Sequence, residues 1–131
     1  MNLKMIGLTV IAASLLAMPA FAHHSFSMFD SDKLVTLNGT VKEFEWANPH
    51  TWLRLVVDNG SGKPLEWSLE MASVSTNAHN GWKADSVKPG DKISVDIYPL
   101  KDGTRGGQVR AVTLTNGQKL GVGGGTYPRG Q

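Results

Sequence analysis

Cysteine is missing from all 131 residues. That absence excludes a disulfide framework, a lipid-modified cysteine after a leader, and any thiolate site for zinc or blue copper. An excess of either charge is also missing, with 13 Lys and Arg against 11 Asp and Glu. No basic stripe runs along the chain, so the electrostatic footprint of a nucleic-acid binder is absent. Long hydrophobic runs are missing too. The longest uncharged apolar stretch, Met5 to Ala17, falls short of the roughly 20 residues that span a bilayer. Nucleophile motifs are not found: the serines are scattered and no Ser-His-Asp arrangement is suggested by spacing. No catalytic residue is expected, and the chain reads as a non-enzyme.

What is present begins with a targeting pattern. Lys4 precedes the apolar run, and small residues at Ala20 and Ala22 bracket Phe21. A charged start, an apolar middle and an A-x-A site make a secretory signal peptide with cleavage expected after Ala22. The mature chain would begin His23-His24-Ser25-Phe26, act in the periplasm and carry no membrane span. The expected organisation is a signal peptide over 1–22, an arm over 23–33, one barrel domain over 34–120 and a Gly-rich tail over 121–131. In the arm, Phe26, Met28 and Phe29 are the residues able to pack it down.

From Val35 the hydrophobic period is two. Val35, Leu37, Gly39 and Val41 share a face, whereas Phe44 and Trp46 lie on the other parity. That slip predicts a β-bulge near Lys42-Glu43, and Gly39 permits a sharp bend. A second strand is expected over Thr51–Asp58, with Leu53, Leu55 and Val57 opposite Trp52, Arg54, Val56 and Asp58. A third covers Leu65–Met71, with Glu66, Ser68 and Glu70 on the solvent face. Glu43 and Glu45 read as solvated as well. Ser73 is placed to cap a short helix ending at Asn80-Gly81, with Val74 and Ala78 on one face. Ile93, Val95 and Ile97 mark strand four, and Gln108–Thr115 strand five. Asn116-Gly117 then turns into Gln118-Lys119-Leu120. Three strands, a helix and two strands, with a bulged first strand, predict an all-β fold: a small five-stranded OB-like barrel with one short helix between strands three and four.

Several motifs in order carry a resemblance. They are AHHSF at the cleavage site, V-T-L-x-G-x-V, W-x-N-P-H-x-W, a GW after the helix, K-P-G-D, and a closing V-T-L with N-G-x-K-L. From Ala22 to Leu120 the chain resembles a family of short exported bacterial proteins of unknown function. The resemblance implies a periplasmic OB-like barrel and brings no activity or catalytic residue with it. In its first mature residue alone, the chain is also similar to periplasmic copper carriers and copper monooxygenases. Their later His and Met motifs are absent, so their chemistry does not transfer.

Two functional expectations remain open. The loop between the first two strands is a usual OB ligand rim. There Trp46 and Trp52 are expected to face each other across the hairpin as a staple or a platform. Asn48 and His50 would be polar contacts, and Trp82 would either plug the barrel end or join the rim. The chain would then be a non-catalytic binding module for an unknown periplasmic ligand or envelope protein. Alternatively His23 and His24, with the free α-amine, form a nitrogen-rich site suited to Cu(II), completed by His50. In that reading the cofactor is copper and the role is metal binding or delivery. His79, on the helix, reads as a cap or a solvent-facing residue.

Overall fold

The computed structural model describes residues 26–122. The segment expected to be a signal peptide, His23, His24, the Phe26 side chain and residues 123–131 lie outside the described residues. After a 3-10 turn at Phe26–Met28, six strands and one α-helix follow in order: β1 (Val35–Glu45), β2 (Trp52–Val57), β3 (Leu65–Glu70), α1 (Val74–His79), β4 (Lys92–Pro99), β5 (Gly106–Thr113) and β6 (Lys119–Gly121). The sheet order is β3-β2-β1-β4-β5-β6, and a further β3–β5 pairing closes the first five into a ring. Every neighbour is antiparallel except β3–β5, which is parallel. This is the OB-type barrel, with the short helix between strands three and four and β6 appended outside the ring.

The first strand makes closure possible by serving two partners. Its first half, Val35 to Thr40, pairs with β4, and its second half, Thr40 to Glu45, pairs with β2. Two local features turn it between them. A Cβ at Gly39 would lie 2.6 Å from the Val56 carbonyl oxygen and 2.8 Å from Leu55 Cγ, so only glycine lets β2 cross this closely. The β1–β2 register then shifts between Val41 and Glu43, which makes Lys42 the extra residue of a bulge. The bulge changes parity, so Leu37 and Val41 before it and Phe44 after it all meet the interior.

Inside the ring, Leu53, Leu55, Leu69, Val95, Ile97, Val109 and Val112 have no solvent exposure. Each such side chain contributes about 1.5–3 kcal/mol on burial. One end is closed by aromatics. Phe44 packs 5.8 Å from Trp46 and 5.9 Å from Trp82, centroid to centroid. The Trp82 indole N–H donates to Gly121 O at 2.8 Å, which ties the chain after α1 to β6. Near the amino end of the described chain, Phe29 is buried and bridges to Leu100.

Several expectations require correction. Strand five starts at Gly106, two residues earlier than the alternation suggests, because Gly106 to Gln108 pair with β3. In α1 the buried residue is Asn77, whereas Ala78 is exposed and Val74 only half-buried. The Asn77 amide donates to Ala72 O at 2.9 Å, so the helix docks through a polar side chain. Met28, expected to pin the arm, is exposed, and Phe29 does that work. Glu70, expected in solvent, is buried, with 7% of its surface exposed.

Candidate functional site at the strand 1–2 rim

The loop from Trp46 to Thr51 folds over the end of β3 and the start of α1. Thr51 N–H donates to Ala72 O at 3.0 Å, and Met71 N–H donates to Thr51 O at 2.9 Å. Asn48, followed by a cis peptide bond to Pro49, accepts a hydrogen bond from Val74 N–H at 3.0 Å. That amide hydrogen is one of the orphan donors of the first helical turn. Ser73, the helix N-cap, takes another by accepting from Thr76 N–H at 3.3 Å. The Asn48 side-chain carbonyl oxygen is therefore a bracket between loop and helix.

His50 stands beside this bracket. Its Nδ1 is 3.1 Å from Met71 O and 3.3 Å from Glu70 Oε1. With Nδ1–H donating, the lone pair of a neutral ring sits on Nε2. The loop covers Glu70, which is why an outward-pointing strand position is buried. No local pattern announces this: the alternation places Glu70 outside correctly, and only the tertiary path of residues 46–51 hides it.

The two loop tryptophans do not pair. The cross-strand neighbours of Trp52 are Glu45 and Glu70, while Trp46 packs on the core beside Phe44. They occupy opposite faces of the sheet, because Trp46 shares the inward parity of Phe44 and Trp52 the outward parity of Arg54. Trp82, buried at 2% exposure, is the plug of the barrel end and not part of the rim. Of these three rings, Trp52 alone stands on the outer face, half-buried.

Arg54 completes that face. Its guanidinium lies 5.6 Å from the Trp52 ring centroid and donates to Ser68 Oγ. Farther along, Lys42 Nζ and Glu66 Oε2 pair at 2.6 Å. The hydrogen bond from Lys42 holds the Glu66 carboxyl below the usual range, against a desolvation effect and with help from the Lys42 and Arg54 charges. Arg105, in the loop between β4 and β5, donates to Glu66 O at 3.2 Å. The face therefore presents one half-buried indole with Arg54 over its ring, beside the Lys42–Glu66 pair. Sequence reasoning did not include Arg54, Ser68 or Glu70 in the site, although the parity of Arg54 and Ser68 with Trp52 was readable.

His79 is exposed, with Nδ1 3.3 Å from Ser75 O, consistent with a solvent-facing helix residue. Among the described residues no three or more His, Asp or Glu side chains group to hold a metal ion. Among them also, no helix is long and apolar enough to cross a membrane.

Comparison with curated proteins and with solved structures finds no match to either. A family model does match, over residues 11–110: the chain belongs to a family of unknown function, DUF6152.

Proposed function

We propose that the protein is a non-catalytic binding module, exported by cleavage after Ala22, whose contact surface is the strand 1–2 rim with the adjoining outer face of β2 and β3. Its ligand is a periplasmic molecule or envelope protein. The observation that carries this reading is the position of Trp52. Two nearby tryptophans are consumed in packing, whereas Trp52 is outward with Arg54 5.6 Å from its ring. This is the face that OB barrels use, flanked by the loops after strands one and four. His50 and Trp52 are the contacting residues, and Asn48 supports them by fixing the loop. A nucleic acid is not the fitting occupant, because basic residues barely outnumber acidic ones, 13 to 11, and form no stripe. A folded Trp52→Ala variant, assayed against periplasmic glycan and peptide fractions, tests the reading. Loss of binding supports it, and binding equal to wild type overturns it.

The anchoring of His50 favours a second reading. Metal-bound imidazoles commonly donate their other ring N–H to a carbonyl or carboxylate. The Nδ1 contacts to Met71 O and Glu70 fit that habit. Here His23, His24 and His50 bind Cu(II) in the mature protein. Intact mass fixes whether the chain starts at His23. A chelator competition in which His50→Ala weakens Cu(II) binding well beyond His79→Ala supports the reading. Equal affinities of wild type and His50→Ala sink it.

A further inference from the structure

Strand pairing sets a row of hydrogen-bonding side chains on the outer face of β1, β4 and β5. Asn38 on β1 is the direct partner of Ser94 on β4, and Ser94 is the partner of Thr113 on β5. All three have outward parity, because Leu37, Val95 and Val112 beside them are buried. Strands lie about 4.8 Å apart, so the row spans about 10 Å at even intervals. One step along, Thr40 is the partner of both Val56 on β2 and Lys92 on β4, which makes a second outward row.

A cleft of about 720 Å³ lies over these two rows, with Gly39 and Ile93 between them. Asp58, Gly62 and Pro64 of the β2–β3 hairpin wall it on one side, and Leu114 and Thr115 after β5 wall it on the other. Its volume falls within the roughly 300–1,000 Å³ of small-molecule sites. The polar side chains lining it are uncommitted: those of Asn38, Thr40, Ser94, Thr113 and Thr115 make no hydrogen bond to other described residues. The next row on β1 and β4 behaves differently. There Thr36 Oγ1 donates to Asp96 at 2.7 Å, and Lys119 pairs with Asp96 at 3.0 Å. Hydrogen-bonding capacity is spent outside the cleft and kept within it.

We infer that this cleft binds a short, neutral saccharide. A ligand on the face of a sheet meets side chains, because the backbone groups lie in the sheet and bond to neighbouring strands. Four of the side chains here are hydroxyls, and each of them, like the Asn38 amide, both donates and accepts. An anion engages donors only and a cation acceptors only, whereas the hydroxyls of a sugar engage both. One acid, Asp58, and one base, Lys92, offset each other, and Asp58 already accepts from Gly60 N–H at 2.8 Å. No aromatic ring lines the cleft to stack a planar base, while Val56, Pro64 and Leu114 offer aliphatic surface to the C–H face of a sugar ring. The site is separate from the Trp52 face and stands or falls without it.

The test is an NMR titration of the isotope-labelled mature chain with cellobiose, maltose and chitobiose, and with glucuronate and glucosamine as charged counterparts. At least one neutral disaccharide is expected to give saturating shifts at Asn38, Ser94 and Thr113 while leaving the Trp52 indole in place. Thr113→Val and Ser94→Ala each remove one hydroxyl and should weaken that binding at least fivefold. Thr36→Val, on the same face but outside the cleft, should bind within twofold of wild type. If Thr113→Val does not melt cooperatively, Ser94→Ala decides. The inference is overturned if no neutral disaccharide shifts the cleft residues, if glucuronate or glucosamine binds more tightly, or if the hydroxyl-deleted variants bind as wild type does. Shifts at the Trp52 indole with the cleft residues unmoved would also overturn it, and would leave the Trp52 face standing.

Discussion

At the residue scale, three side chains of one type take three different roles. Trp82 is buried and hydrogen-bonded, Trp46 is packed against Phe44, and Trp52 is turned outward. Trp82→Ala should cost about 3–5 kcal/mol of stability, the usual range for emptying a buried aromatic site. Trp52→Ala should cost about 1 kcal/mol, in line with an average substitution. Urea denaturation of both variants checks the contrast. Gly39 is a different case, because its role is the absence of a side chain. Gly39→Ala forces a methyl against Val56 O and Leu55 and should destabilise by about 1–3 kcal/mol, with the midpoint falling accordingly. An unchanged midpoint would mean that β1 can bend elsewhere.

At the scale of elements, the loop, the end of β3 and the start of α1 behave as one unit, joined by Asn48 to Val74, Thr51 to Ala72 and His50 to Met71. Ser73→Ala should cost about 0.5–2 kcal/mol. Asn48→Ala, which orphans the Val74 N–H, should cost about 1 kcal/mol. Thermal melts measure both, and exchange at the Val74 amide should quicken in Asn48→Ala. Much of this architecture was legible in the sequence. Alternation located β1 to β4, the parity slip located the bulge, and Ser73 and Asn80-Gly81 bounded the helix. What escaped depends on contacts distant in sequence. The parallel closure of β3 on β5 leaves no local period. The burial of Glu70 depends on a loop folding over it, and the docking of α1 rests on Asn77, which no apolar pattern marks. The supposed Trp46–Trp52 staple failed for a simpler reason: opposite parity places the rings on opposite faces.

At the scale of the whole molecule, a five-strand ring with no disulfide and a plugged end carries the outer face around Trp52. The binding proposed for that face should depend only weakly on salt, unlike that of a polyanion site. The most direct test of the central claim is titration of isotope-labelled mature protein with periplasmic glycan and peptide fractions, followed by backbone and indole resonances. The account predicts shifts concentrated at the Trp52 indole, His50 and Arg54, and at least tenfold weaker binding by a Trp52→Ala variant that still melts cooperatively. Shifts that spare Trp52 and His50 in every fraction, or undiminished binding by Trp52→Ala, would contradict it.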